Sequence, residues 1–155
     1  MSTESALQGV GDSKHRIVVL NILPVGSSGF DGRHLIEALG NEGLLYGAYD
    51  LFQYASKADD SVNLFSVANI MEPGSFNLNT LPDTDISGLA VFSVLPVKNL
   101  ASVDVFAEML AITRRLAEIL GGEVTDDSRS TLTPQTAHHL RESIVAFDAQ
   151  LGRSR

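Results

Sequence analysis

Residues 44–71 read LLYGAYDLFQYASKADDSVNLFSVANIM, and this stretch decides the fold class. It contains two segments rich in β-branched and aromatic residues, 44–54 and 62–71, which are typical of strands. The polar turn between them is only about six residues long, whereas a parallel crossover needs a dozen or more. The two segments are therefore predicted to pair as antiparallel strands.

The segments on either side of this pair extend the pattern. Further strands are predicted at 15–25 and 88–97, with a small hairpin over 123–132. Helices are predicted after the capping residue Asp31, over 102–120 where apolar residues recur every three or four positions, and after the cap formed by Thr133 and Pro134. Strands that follow one another without helices between them indicate a mainly antiparallel sheet with helices on one face, an α+β fold.

Composition excludes several classes of protein. The chain has 155 residues, with 11 Lys and Arg against 19 Asp and Glu, and a net charge of -8, which opposes binding to a phosphate backbone. Because there is no cysteine, disulfides, thiol nucleophiles and cysteine zinc sites are absent. No apolar stretch reaches the length of about 20 residues that a membrane span needs. We expect residues 1–14 to be a flexible linker remnant and residues 15–152 to form one soluble globular domain.

The sequence GSSGFDG at 26–32 is the strongest candidate for a cofactor site. It follows a predicted strand and precedes a predicted helix, and Asp50 lies about 20 residues further on, as in a dinucleotide-binding loop. Its spacing, however, is G-x-x-G-x-x-G, and the next strands form a hairpin instead of a second β-α-β unit. A turn between strand and helix explains the glycines, so no cofactor is predicted.

The other candidates for catalysis or metal binding have simple interpretations. His138 and Glu142 are four residues apart on a predicted helix, but a metal site needs at least a third ligand. The carboxylate pairs at 59–60 and 126–127 fall in turns, where Asp bonds nearby backbone. No G-x-S-x-G motif supports a serine nucleophile. Neither an enzyme site nor a metal site is predicted.

The strands are unusual because both of their faces are apolar, whereas a sheet with helices on one side should alternate. One apolar set falls at alternate positions of four segments: Ile17 and Val19, Tyr49 and Leu51, Ala68 and Ile70, and Ala90 and Phe92. The opposite set is also apolar: Val18, Leu20, Phe52, Phe65, Val67, Leu89 and Val91. Three helices can cover one face, which leaves the other for a partner, a second copy or a helix that crosses over.

Four segments resemble the carboxy-terminal domain of the ZipA family of bacterial cell-division proteins. They are IVVLNI (17–22), NLFSVANIMEPGSF (63–76), GLAVFSVLP (88–96) and GGEVTDDSRSTLTPQ (121–135). The resemblance implies a split β-α-β fold with a six-stranded sheet and three helices, and a binding module instead of an enzyme. It also implies a shallow apolar groove on one sheet face that receives the carboxy-terminal tail of the tubulin-like division protein FtsZ.

Matching the strands to the family places this groove on the first of the two apolar sets. The implied peptide-binding residues are Ile17, Val19, Tyr49, Leu51, Ala68, Ile70, Glu72, Ala90 and Phe92. Family members often have lysine where this chain has Glu72, so a charge contact at this position would change sign. Since Val91 and Leu89 should point toward the helices, Phe92 is expected to point away from them and to be partly exposed.

The resemblance further implies an adaptor that links FtsZ filaments to the cytoplasmic side of the bacterial inner membrane during septum formation. The membrane anchor would be an amino-terminal segment that this chain lacks. We expect a monomeric domain that uses no cofactor and no metal and binds no nucleic acid. The alternative is a single-stranded nucleic-acid module that stacks bases on Tyr49 and Phe92, which the net charge of -8 opposes.

Overall fold

The structure is a computed structural model that describes residues 14–152. The strands in this range are β1 (Arg16–Pro24), β2 (Phe30–Asp31), β3 (Leu45–Tyr46), β4 (Phe52–Ala55), β5 (Asn63–Asn69), β6 (Asp85–Ile86), β7 (Leu89–Leu95) and β8 (Gly122–Thr125). Six of them form one sheet in the order β3-β4-β5-β7-β1-β8, and each neighbouring pair is antiparallel. The predicted antiparallel pairing within 44–71 is confirmed, since β4 pairs with β5.

Three helices form where the sequence predicts them. Helix α1 (Gly32–Asn41) is capped by Asp31, whose side chain accepts a hydrogen bond from the His34 backbone N–H at 3.1 Å. Helix α2 (Ser102–Leu120) ends at Gly121, which adopts the left-handed conformation (φ 73°) that favours glycine. Helix α3 (Pro134–Gln150) is capped by Thr133 and has proline in its first turn. The α+β fold with a six-stranded sheet and three helices is confirmed for the described residues.

The segment 44–54 differs from the single strand that the sequence predicts. It forms two short strands, β3 and β4, which pair with each other around a 3-10 turn at Ala48–Asp50. Tyr49 and Asp50 both adopt positive φ, at 61° and 58°, which is uncommon for residues other than glycine. The Asp50 N–H donates to the Gly47 carbonyl at 3.1 Å and closes the turn, and the Asp50 carbonyl accepts a hydrogen bond from the distant Phe76 N–H at 2.9 Å.

Two further stretches differ from their predictions: residues 75–87 contain more regular structure than expected, and residues 123–132 contain less. The stretch between Gly74 and Gly88, expected to be a loop, includes a 3-10 turn at Leu81–Asp83 and the short strand β6, which pairs with β2 as a separate two-stranded sheet. The predicted hairpin over 123–132 has one regular strand, β8, and a single bridge between Thr125 and Thr131 closes it.

The main hydrophobic core lies between one face of the six-stranded sheet and the helices. It contains Val18, Leu20, Val67 and Val91 from the strands together with buried residues of all three helices, such as Met109. These strand residues all belong to the second apolar set of the sequence, so that set is confirmed as the face covered by helices.

The predicted linker remnant lies outside the described residues, except for Lys14, whose side chain donates to Gln150 at 3.1 Å. Between residues 14 and 152, none of the helices combines the length and the apolar character that spanning a membrane requires.

Candidate peptide-binding site

Strand register places the first apolar set on the sheet face opposite the helices. Val19 pairs directly with Phe92 across β1 and β7, and Ala68 pairs with Ala90 across β5 and β7. Side chains of directly paired residues lie on the same face, as do residues two positions apart in a strand. We therefore define the open face by the residues Ile17, Val19, Leu51, Ala68, Ala90 and Phe92.

A small apolar cluster forms the floor of the open face. Leu51, Ala68 and Phe92 are buried at 0%, 0% and 6% exposure, and the partly buried Val19 packs against them. This cluster is separate from the main core and includes no helix residue. Among the described residues, the open face therefore has an apolar cluster of its own, apart from the core that the helices cover.

More exposed apolar side chains surround this floor. Ile17 and Tyr49 are 43% and 39% exposed, while Ile70 and Ala90 are half-buried. Ile70 follows β5 and continues its pairing with β7, because its N–H donates to the Gly88 carbonyl at 3.0 Å. The structure thus brings eight of the predicted groove residues to one face, with Glu72 exposed in the turn after Ile70.

The prediction that Phe92 is partly exposed is wrong. Its side chain does point away from the helices, but it is 94% buried in the cluster with Leu51 and Ala68. The turn at Ala48–Asp50 brings Tyr49 beside it, and both residues line a pocket of about 240 Å³. Phe92 therefore forms the floor of this pocket, and Tyr49 forms part of its rim.

Backbone hydrogen bonds hold Tyr49 in its left-handed conformation. The Gly47 N–H donates to the Leu51 carbonyl at 2.9 Å, and the Leu51 N–H donates to the Ala48 carbonyl at 3.3 Å. The Phe76 N–H fixes Asp50 next to it. Positive φ at a residue with a bulky side chain costs free energy and persists only where the surroundings enforce it. The backbone at Tyr49, and with it the point from which its side chain leaves the loop, is therefore fixed.

Four residues of this face were missed in the sequence analysis. Gln53, Ser66 and Val94 line the pocket with Tyr49 and Phe92. Leu45, which is 72% exposed, pairs with Gln53 and so shares its face. Leu45 falls in phase with Tyr49 and Leu51, and this alternation could have identified it. Gln53 and Ser66 are polar, so the alternation of apolar residues could not identify them.

Two tyrosines of the covered face have perturbed acidity. Burial, and then the neighbouring Asp50 carboxylate, raise the pKa of Tyr46, whose hydroxyl donates to the Phe76 carbonyl at 2.7 Å. Burial, and then a hydrogen bond of 2.9 Å to Glu108, raise the pKa of Tyr54 on the covered side. Both groups are kept neutral by these surroundings and serve as structural anchors.

The glycine sequence at 26–32 packs against protein backbone. A Cβ atom at Gly29 would lie 2.6 Å from the Ile86 carbonyl oxygen, and one at Gly32 would lie 1.7 Å from the Leu81 carbonyl oxygen. The Gly32 N–H donates to the Thr84 carbonyl at 2.9 Å. Close approach of residues 81–86 therefore explains why Gly29 and Gly32 have no side chain.

Within the described part of the chain, the remaining candidates for catalysis or metal binding interact with nearby residues of their own helix or turn. His138 Nε2 lies 3.7 Å from Glu142 Oε1 on the exposed side of α3, and no cluster of three or more metal-ligating side chains occurs within residues 14–152. Asp59 accepts hydrogen bonds from the N–H and hydroxyl of Ser61, which lower its pKa. Asp126 accepts from two backbone N–H groups of its own turn. These carboxylates shape turns.

Stacking of nucleic-acid bases finds little support on this face. Stacking needs exposed aromatic faces, and Phe92 is only 6% exposed. Of the two aromatic residues considered for it, Tyr49 alone has substantial exposure.

Comparison with known proteins supports the family resemblance. The profile of the family described as "ZipA, C-terminal FtsZ-binding domain" matches residues 16–143. The protein named "Cell division protein ZipA" from Ectopseudomonas mendocina is 35% identical over 133 residues, which cover 85% of this chain and 48% of that protein. Proteins of the same name from Azotobacter vinelandii and Vibrio campbellii are 34% and 33% identical, with 84% and 86% of this chain covered.

The chain spans about half the length of these curated relatives, with coverage between 42% and 48% of each. The matched part includes the whole central sheet and α1, α2 and most of α3. The chain therefore belongs to the ZipA family of cell division proteins and corresponds to its C-terminal FtsZ-binding domain.

Proposed function

We propose that this domain is a non-enzymatic adaptor that binds the carboxy-terminal tail of FtsZ on the open face. The observation that carries the proposal is the set of exposed apolar side chains around the buried floor of this face: Leu45, Ile17 and Tyr49 are 72%, 43% and 39% exposed. Contiguous apolar patches that remain open on a soluble domain mark interaction sites. The name of the matching family supplies the partner.

The shape of the site suits an extended or helical peptide with apolar anchor side chains. The pocket between Tyr49 and Phe92 measures about 240 Å³, and the exposed Ile17 and Leu45 extend the apolar surface on either side. A shallow face of this kind should bury less than about 1,200 Å² in total. We expect a micromolar complex, with a binding free energy of roughly -7 to -9 kcal/mol.

The direct test is to titrate a synthetic FtsZ tail peptide into the isotope-labelled chain and follow backbone and methyl resonances. The proposal predicts changes at Ile17, Val19, Ala68 and Ala90, and none with a peptide of scrambled sequence. Changes confined to α3 or to the glycine sequence at 26–32 would overturn the assignment of the site. Sedimentation of the free chain is expected to show a monomer.

The second part of the proposal is that the adaptor links FtsZ filaments to the cytoplasmic membrane and so supports assembly of the division ring. This part rests on the family, because residues 14–152 include no helix that could span a membrane. It can be tested with the chain attached to liposomes through an amino-terminal tag. FtsZ filaments should sediment with these liposomes but not with liposomes mixed with the unattached chain, and equal sedimentation would contradict the linking role.

A further inference from the structure

Directly beside the open face, strand β1 has an edge that no strand of residues 14–152 occupies. On one side β7 pairs with Arg16–Ile22, but on the other side β8 pairs only with Asn21–Pro24. Within the described part of the chain, the outer edge of residues 16–20 has no strand partner. The free backbone N–H and C=O groups of such an edge are a template for another strand.

A cleft of about 310 Å³ runs along this edge. It is lined by residues 16–19 of β1, by Asp126 and Asp127 of the hairpin, and by Thr136, His139 and Leu140 of α3. Ile17 and Val19 belong to the open face, whereas Val18 belongs to the main core. A cleft that touches all three lies at the edge of the strand, in the plane of the sheet. We term it the edge notch.

We propose that the edge notch receives an extended segment of the same peptide that binds the open face, and that this segment adds to β1 as a further strand. The inference rests on the proposed function. Ile17 and Val19 line both surfaces, so a bound chain can pass from one to the other without leaving the protein. The volume falls at the lower end of the range of about 300–1,000 Å³ for ligand pockets. Strand addition of this kind obtains its affinity from main-chain hydrogen bonds.

Charge along the edge notch restricts the inserted segment. The Asn21 side chain donates to the Asp126 carbonyl at 3.1 Å, which places the acidic pair at one end of the notch. Arg16 lies five residues away along β1, a distance of about 16 Å in a strand. Asp126 is already bonded within its turn, whereas the Asp127 side chain is exposed. The segment should therefore carry a basic residue near Asp127 and an acidic residue near Arg16.

Amide hydrogen exchange tests the inserted strand directly. With the full chain saturated by a synthetic FtsZ tail peptide, the amides of residues 17–19 that face the notch should exchange at least tenfold more slowly than in the free chain. If the peptide shifts open-face resonances but leaves these amides unprotected, the edge notch proposal fails and the proposed function stands. If the peptide causes neither change, the proposed function fails as well.

Amide exchange in the free chain shows whether the edge notch is filled by another part of the chain or by a second copy instead of the peptide. Slow exchange at the notch-facing amides of residues 17–19 that is independent of protein concentration would indicate that another part of the chain already fills the notch. Slow exchange that develops as the concentration rises would indicate a second copy. Either result would overturn the proposal, which expects fast exchange before the peptide is added.

Two adjacent histidines on α3 provide a matched pair of variants. His139 lines the notch and His138 does not, and both are exposed, so neither change should lower the urea midpoint. His139→Trp should fill the notch and weaken binding of the tail peptide fivefold or more. His138→Trp should change it by less than twofold. Equal effects of the two variants would contradict insertion of a strand at this edge.

Discussion

The two faces of the central sheet are both apolar, yet they are organised in different ways. On the covered face, Leu20 and Val91 belong to one continuous core that includes buried residues of all three helices. On the open face, Phe92 belongs to a cluster of three buried residues without a helix partner. The residues around that cluster, such as Ile17 and Tyr49, remain 43% and 39% exposed.

This difference shows that apolar residues on a strand do not by themselves indicate a fold-stabilising role. Burial of apolar surface contributes roughly 25 cal/mol per Å², and only the covered face obtains this contribution over a large area. The open face keeps part of its apolar surface in water, where a peptide can bury it instead. Substitutions on the two faces should therefore affect different measurements.

The largest effect is expected on the covered face of β1. Leu20→Ala removes a fully buried side chain, and it should lower the free energy of unfolding by about 2–5 kcal/mol. Its matched control is Ile17→Ala, on the same strand but on the open face. Ile17→Ala should change the free energy of unfolding by no more than about 1 kcal/mol and weaken binding of the tail peptide by about 1 kcal/mol. Urea melts and calorimetric titrations of both variants measure these quantities, and similar destabilisation by both would remove the distinction between the faces.

A buried carboxylate in the helical layer should give the next largest effect. Helix α2 has no side-chain cap of its own at Ala101, and Asp148 of α3 accepts hydrogen bonds from both the N–H and the hydroxyl of Ser102 at 2.7 Å. Asp148→Ala should lower the free energy of unfolding by about 1.5–3 kcal/mol without changing tail affinity in the folded protein. Asp148→Asn, which keeps one acceptor oxygen, should lose less stability than Asp148→Ala. A urea melt that finds Asp148→Asn the less stable variant would contradict the role of Asp148 as the cap of α2.

A smaller effect, on binding alone, is expected at Tyr49. Tyr49→Asn removes the ring from the rim of the open-face pocket, and asparagine tolerates the left-handed conformation better than tyrosine does. Tail affinity should fall by about 1 kcal/mol, while the urea midpoint should stay constant or rise slightly. Unchanged affinity together with a lower midpoint would show that Tyr49 supports the fold instead of the site.

The smallest effect is expected from salt. Glu72 is exposed beside the open face, and the chain carries a net charge of -8, so docking should depend on apolar burial. Raising the ionic strength from about 0.05 to 0.5 M shortens the Debye length from roughly 14 to 4 Å, yet affinity for the tail should change by less than tenfold. A loss of several orders of magnitude in a salt series of titrations would indicate an electrostatic driving force.

Much of the fold follows from local sequence patterns. The helix predicted over 102–120 has those bounds in the structure, because its apolar spacing and Gly121 are local signals. The caps at Asp31 and Thr133 are also local. The break at Ala48–Asp50 could not be predicted, since it involves a hydrogen bond from Phe76, which lies far along the chain.

The same distinction applies to the candidate site. Alternation along the strands was sufficient to separate Phe92 from Val91, because side chains in a strand change face at every residue. Phe92 is buried against Leu51, which directly follows the unpredicted turn at Ala48–Asp50. The edge notch arises because β8 is shorter than β1, and unequal strand lengths leave no pattern in either segment.

The most direct test of the account compares Phe92→Ala with Val91→Ala, two adjacent residues of β7 on opposite faces. Each variant is titrated with the FtsZ tail peptide and unfolded with urea. Phe92→Ala should weaken binding by about 2 kcal/mol or more, with some loss of stability because its side chain is 94% buried. Val91→Ala should lower the unfolding midpoint and leave the affinity within threefold. If Val91→Ala abolishes binding by the folded protein while Phe92→Ala affects stability alone, the assignment of the two faces is inverted.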